Sequence, residues 1–400
     1  MNIHIIFRAP FPYGGVGANR VISYAKEIAI KHNAFIHCIQ PTKNYPGCKN
    51  NKVIGRFQNI FYFYPSGKTT WPHDNINYLY KLYYCLIAYF YSYKYIYRKR
   101  RNSIIYLYSI SFCDIVIYYI ISRILNIKLL QERSEIPHLL RKQSLFTKLI
   151  KPIYTYTYIF FIYKLFDALV VETDLLRQFY QKFLRKSAKI FILPNTIDFT
   201  RFENVKIFHK FYKKQYFAYA GNMSEFDGIE ILIDAFNIFH KQFPSVYLLL
   251  IGKCEDNLFN LYKSKVRKYQ LEEYIIFTGK LTNTDIPQYL VTATALVLAS
   301  PVSIRNSVSL PYKLGEYLAA KRPVIVTGVG AIPSILHDGI DAFIAEPGNP
   351  NSLCEKLIKC LSMTDEERSL MGKKGQEVAY QLFNSVYHSH RLQMFLEGLS

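Results

Sequence analysis

The sequence has no C-x-x-C pair. Its seven cysteines, Cys38, Cys48, Cys85, Cys113, Cys254, Cys354 and Cys360, are scattered and odd in number. That pattern disfavours a disulfide framework or a zinc site and fits reduced thiols in a cytoplasmic protein. D-x-D, H-E-x-x-H and G-x-S-x-G are also missing, which removes support for metal-dependent sugar transfer, zinc hydrolysis and serine hydrolysis. The ten histidines show no ligand spacing, and His4 and His37 fall on strand patterns as structural residues. No metal is expected. The opening MNIHIIFRAP has no charged leader, and its apolar run is too short for a signal peptide.

Acidic residues are scarce in one half only. Residues 1–200 hold 28 Lys and Arg against 9 Asp and Glu, a balance of +19, whereas residues 201–400 hold 22 against 20. Such asymmetry asks for a negatively charged partner of the first half: a membrane, a nucleic acid or an anionic substrate. Half of the residues are apolar and 20% are charged, which argues against disorder. A chain of 400 residues exceeds one ordinary core, so two domains are expected. The run 104–122 is nearly long enough to span a bilayer. Within it, SFCD (111–114) reads as a capping box, which splits the run into a strand over 104–110 and a helix over 112–125.

Strands then alternate with helices. The reading is strand 3–8, loop 9–17, helix 18–31 and strand 34–39, then strand 127–132, a Tyr-rich helix around 147–165, strand 168–173, helix 174–184 and strand 189–195. After an irregular stretch at 199–214 the pattern restarts with strands 216–221, 246–252, 275–279, 295–300, 323–328 and 342–347. Helices at 228–243, 256–269, 284–291, 311–320, 350–362 and 364–382 lie between and after them. The fold class is therefore α/β, with two doubly wound parallel sheets. The domains are 1–197 and 198–378, with a C-terminal helix, 379–400, returning toward the first. Ligands of such sheets sit at the carboxyl ends of the strands, and two facing sheets would form a cleft.

Five stretches carry chemistry. FPYGGVGANR (11–20) places Gly14, Gly15 and Gly17 between a strand and a helix. It reads as a ligand-approaching turn or as a flexible loop, and its G-G-x-G spacing departs from a dinucleotide fingerprint. QERSEIP (131–137) puts Glu132, Arg133 and Glu135 at the mouth of the first sheet, or in a solvated turn. YAGNMSEFDGIEILIDAF (219–236) joins Gly221, Asn222 and Gly228 in a turn that can hold phosphate on backbone N–H groups. SPVSIRNSVS (300–309) offers Arg305, Asn306, Ser307 and Ser309 as donors. SLPYKLGEYLAAKRPVIVTG (309–328) opens a helix at Pro311, with Lys313 and Glu316 on one face. That face is either an exposed salt pair or an anion site at a helix N-terminus.

In this order the motifs resemble the retaining glycosyltransferases of the GT-B fold, in the family-4 "group 1" class. The resemblance is strongest over 189–350. It implies two facing Rossmann-like domains, a nucleoside diphosphate sugar as co-substrate, no other cofactor, no metal and transfer with retention. Carried over, Glu316 matches the glutamate that holds ribose or sugar hydroxyls. Gly279 and Lys280 lie where the base packs, and Gly14 and Gly15 match the loop over the donor phosphates. The sequence departs from the pattern at Val308, Asn222 and Asp227, where a glutamate, an arginine and a lysine are usual. A subgroup carrying P-x-K-L-G-E-Y-L-A is similar, with Lys313 the natural phosphate partner and Arg305 the second.

On this resemblance the donor set is Gly14, Gly15, Gly17, Gly221, Asn222, Arg305, Ser309, Gly279 and Lys280. The catalytic set is Lys313 and Glu316, with Glu132 and Glu135 positioning the acceptor. A lipid-linked or oligosaccharide acceptor in surface polysaccharide assembly (capsule or O-antigen) is implied. The segment 78–101 mixes tyrosines with apolar residues and ends in Arg98, Lys99, Arg100 and Arg101. It reads as a face for an anionic membrane, placing the protein peripherally on the inner side of the cytoplasmic membrane, or as a Tyr-rich core helix. The alternatives are a nucleotide-sugar epimerase and a basic nucleic-acid-binding protein. No recognised nucleic-acid module is present, so no nucleic-acid partner is expected.

Overall fold

Apolar runs such as Tyr247–Ile251 (YLLLI), Ala295–Leu298 (ALVL) and Val324–Thr327 (VIVT) suit strands covered on both faces. All of them lie in a parallel sheet. The computed structural model describes residues 1–42, 50–72, 77–135, 160–303, 306–307 and 310–399. The chain divides into one unit of Met1–Thr196 with Ser385–Ser400 and a second of Ile197–Asn384.

In the first unit the strands are β1 (Asn2–Phe7), β2 (Asn33–Cys38), β3 (Ile54–Phe57), β4 (Ile60–Phe63), β5 (Ser103–Tyr108), β6 (Lys128–Arg133), β7 (Ala168–Val171) and β8 (Lys189–Ile192). Their order among the described residues is β3-β4-β2-β1-β5-β6-β7-β8. Neighbours are parallel except for the β3–β4 hairpin. The helices are α1 (Val16–Lys31), α2 (Tyr78–Arg98), α3 (Phe112–Ile124) and α4 (Asp174–Gln181). Helix α1 buries Ala18, Val21, Ala25 and Ile28, the i, i+3, i+7 stripe of an amphipathic helix.

Several expectations change here. The run 104–122 does divide into β5 and α3. Among the described residues no helix is long and apolar enough to cross a membrane. The capping box is not formed, because Ser111 caps α3 without a side-chain bond. Asp114 turns inward instead, accepting from Arg8 Nε at 2.5 Å, Ser109 Oγ at 2.5 Å and Tyr89 Oη at 2.6 Å. The expected helix over 147–165 lies largely outside the described residues, and within it Ile162–Leu165 is a short 3-10 turn.

The second unit contains β9 (Tyr216–Ala220), β10 (Tyr247–Ile251), β11 (Ile275–Gly279), β12 (Ala295–Leu298), β13 (Val324–Thr327) and β14 (Phe343–Ala345). Its helices are α5 (Ile229–His240), α6 (Asp256–Lys268), α7 (Ile286–Thr292), α8 (Tyr312–Ala319), α9 (Ile332–Ile335), α10 (Pro350–Ser362) and α11 (Asp365–Phe383). The strand order β11-β10-β9-β12-β13-β14 is that of a dinucleotide-type sheet, whose direction reverses between β9 and β12. Helix α12 (Ser385–Glu397) belongs to the first unit, so the chain returns there at Ser385 rather than at 379. It packs Leu392 and Leu396 into the core around α1 and stacks Phe395 on Phe191 at 4.9 Å.

Candidate active site

The carboxyl ends of β9 and β12 flank the reversal point of the second sheet, the place where such sheets bind ligands. Gly221 follows β9, and α8 leads away from the loop after β12. Gly228 caps α5 at φ +68°, and a Cβ there would lie 1.8 Å from the Ala299 carbonyl oxygen. Only glycine lets the two flanking loops touch.

Helix α8 is fixed to this end by Tyr317. Its hydroxyl accepts from Ala220 N and donates to Ala220 O at 3.1 Å. Pro311 stands one place earlier than expected, as the N-cap rather than the first helical residue. Lys313 Nζ donates to Tyr219 Oη at 2.7 Å and pairs with Asp227. The lysine stem crosses the bare face of Gly221, where a Cβ would fall 2.1 Å from Lys313 Cε. Burial pushes the Asp227 carboxyl up, but Lys313 and Ser224 more than offset this and hold it below the usual carboxylate range.

Glu316 does not pair with Lys313. It accepts from Arg201 Nη1 at 2.6 Å, and Arg201 Nη2 donates to Asn283 O at 3.3 Å. Each member of the Lys313–Glu316 face therefore has its own tertiary ion-pair partner. None of the five sequence stretches contains Arg201, which lies 115 residues from Glu316. Gly279 ends β11 at φ +73°, and its carbonyl accepts from Gly252 N at 3.0 Å. Gly279, exposed Lys280, Gly221, exposed Asn222, Lys313 and Glu316 thus belong to strand-end turns or to α8 of one unit. Arg305 and Ser309 lie outside the described residues. Asn306, beside them, donates to Phe226 O at 3.1 Å and Pro301 O at 2.8 Å.

In the first unit Gly15 caps α1, Gly14 precedes it, and Gly17 sits in its first turn rather than in the loop. Glu132 is not at a mouth. Its side chain is 2% exposed, paired with Arg20 and accepting from Tyr106 Oη at 2.6 Å and Tyr24 Oη at 3.2 Å. The first three residues of the motif, Gln131, Glu132 and Arg133, lie on β6, and an arginine in α1 with two tyrosines draws the Glu132 carboxylate inward. The carbonyl of half-buried Glu135 accepts from Tyr180 Oη at 2.5 Å. Arg20 also lies 3.9 Å from Glu172, a residue the motifs did not single out. Burial, with Glu132 and Glu135 adding to it against Arg20, raises Glu172 to about 7.

Arg98, Lys99, Arg100 and Arg101 are exposed at the end of α2. Along that helix Ala88, Tyr89, Ser92 and Ile96 face the core, while Leu79, Leu82, Leu86 and Phe90 face outward. Six cysteines among the described residues are unpaired. Among the described residues no cluster of His, Cys, Asp and Glu could hold a metal ion.

Residues 214–363 match the family model of glycosyl transferases group 1. The fold is GT-B. A sucrose-phosphate synthase from Thermosynechococcus elongatus superposes over 100% of this chain and 99% of its own, at TM-score 0.74 and 15% identity. The Anabaena protein HepE, in complex with UDP and glucose, matches over 100% of both chains at TM-score 0.68 and 14% identity. In sequence, an uncharacterised glycosyltransferase of Methanocaldococcus jannaschii is 29% identical over 150 residues, 38% of this chain and 39% of that protein. The N-acetyl-alpha-D-glucosaminyl L-malate synthase of Bacillus anthracis is 26% identical over 166 residues, 41% of each chain. The chain thus spans well under two thirds of these relatives' length. The group 1 match lies wholly within the second unit and contains Gly221, Asp227, Lys313 and Glu316.

Proposed function

We propose that this chain is a retaining, family-4-type glycosyltransferase that moves a hexosyl unit from a nucleoside diphosphate sugar to an acceptor hydroxyl. The observation that carries the reading is Lys313 laid across Gly221 at the sheet's reversal point, inside the segment that matches the group 1 family. The diphosphate would exchange with Asp227, the partly buried partner of Lys313. Backbone N–H groups of the strand-end turns would add to the positive potential. Glu316, oriented by Arg201, would take sugar or ribose hydroxyls. As negative charge builds on the leaving diphosphate, these fixed donors lower the barrier. The donor is a co-substrate, and the proposal requires neither a resident cofactor nor a metal.

The acceptor is proposed to be a lipid-linked glycan of surface polysaccharide assembly, read by the first unit at the inner face of the cytoplasmic membrane. Supporting this are the +19 balance of residues 1–200, exposed Arg98–Arg101, and the outward stripe of Leu79, Leu82, Leu86 and Phe90 on α2. Apolar rungs flanked by basic residues match an anionic bilayer surface. Nucleotide release from a panel of nucleoside diphosphate sugars, with and without lipid-linked acceptor, tests the reading. Acceptor-dependent release is expected. Conversion of the donor without acceptor would point to an epimerase, and no turnover of any donor would overturn the proposal.

A further inference from the structure

Asp227 is an anion standing where a diphosphate is expected. Its Oδ2 accepts from Ser224 N at 2.9 Å and Ser224 Oγ at 2.5 Å. Those bonds fix the carboxylate within its own turn, whether or not Lys313 stays on it. Lys313 is less tied. It has a second anchor in Tyr219 Oη at 2.7 Å, and its side chain is 21% exposed. An arriving phosphate therefore exchanges with Asp227 for the lysine, and Asp227 stays behind as an uncompensated negative neighbour.

We propose that Asp227 is a selectivity residue that disfavours the free nucleoside diphosphate relative to its glycosyl ester, and so promotes departure of the product. This rests on the donor-site reading above. The glycosyl ester carries two negative charges. The free diphosphate gains a terminal phosphate whose last proton leaves near a pKa of about 6, so a third charge is present at neutral pH. Repulsion from Asp227 then falls on the product more than on the donor. Among the described residues the charged neighbours of Asp227 include Lys313, Glu225 and Glu230 across Tyr262, and Glu316 across Tyr317. The adjacent Tyr219, Tyr317 and Tyr262 hydroxyls are raised above their ordinary value, chiefly by burial. They stay neutral throughout the range tested.

Calorimetric titration tests this, using UDP, GDP and ADP with their glucose esters against wild type, Asp227→Asn, Lys313→Met and the double variant, at pH 8 and 5.5. Asparagine keeps the acceptor for Ser224 and Lys313 but not the charge. At pH 8, Asp227→Asn is expected to tighten the diphosphate about tenfold and its glucose ester less than about threefold. At pH 5.5 the terminal phosphate is largely protonated and the two shifts converge. Equal tightening of both ligands at pH 8, no tightening of the diphosphate, or a selectivity independent of pH would overturn the proposal. Lys313→Met is expected to weaken both ligands. If it weakens neither, or wild type binds none of the six, the donor-site reading itself fails. If it weakens both while Asp227→Asn shows no selectivity, only the role of Asp227 fails.

Discussion

Each unit places a cation among carboxylates near the carboxyl ends of its strands, but the two arrangements differ. In the first unit Arg20 is 2% exposed. It is held by Glu132, by the carbonyls of Leu193 and Pro194 at 2.9 Å each, and by Asn195. In the second, Lys313 meets Asp227 and Tyr219, and both charged side chains of the ion pair keep some exposure. A buried guanidinium held by a carboxylate, two carbonyls and an amide has little access to a ligand, whereas a partly exposed lysine paired with a partly exposed carboxylate can exchange it. The first cluster ties α1 to β6 and β8, and the second is the proposed donor site.

The largest effect should come from breaking the enclosed cluster. Arg20→Met leaves Glu132 and Glu172 without their cation, and a loss of about 3–5 kcal/mol in denaturant-measured stability is expected. A near-neutral result would show that the first cluster is not structural. Glu172 sharpens the contrast through pH. Its folded pKa, about 7, lies above the ordinary 4.5, so the folded state binds this proton more tightly than the unfolded chain. Stability from this group is full below about 4.5, falls as pH climbs to about 7, and is flat above. Glu172→Gln should remove that slope and exceed wild type at pH 8 by an amount on the order of 3 kcal/mol. Parallel stability curves for variant and wild type would contradict this.

The open cluster should behave in the opposite way. Lys313→Met is expected to cost donor kcat/KM a factor of roughly 10–150, the value of a charged hydrogen bond, with little change in stability. A variant that loses stability but keeps kcat/KM would reverse the assignment of the two clusters. The smallest effect concerns the outer face of α2. Leu86→Ser with Phe90→Ser should lower affinity for anionic vesicles about tenfold while moving stability by less than about 0.5 kcal/mol. Unchanged vesicle binding would remove the membrane face from the account.

The alternation of strands and helices was legible because parallel strands covered on both faces are written as unbroken apolar runs, and β9 to β13 each have one. The β3–β4 hairpin was not, because its two-residue turn is Gln58-Asn59, both at positive φ, rather than an Asn-Gly signal. Lys313 and Glu316 stood out by their place on α8, but their partners did not. Asp227 and Arg201 lie 86 and 115 residues away in sequence, and no local pattern records such a pairing. Glu132 misled for a related reason. A polar E-R-S-E run looks solvated unless the arginine of another helix is known to reach it. The SFCD motif shows the same limit, since Arg8 takes Asp114 away from the cap.

The most direct measurement is a crystal structure of the chain with a bound nucleoside diphosphate. The account predicts a phosphate oxygen within hydrogen-bond distance of Lys313 Nζ, above Gly221, with Lys313 drawn off Asp227. A diphosphate bound elsewhere, with the Lys313–Asp227 pair intact, would contradict it.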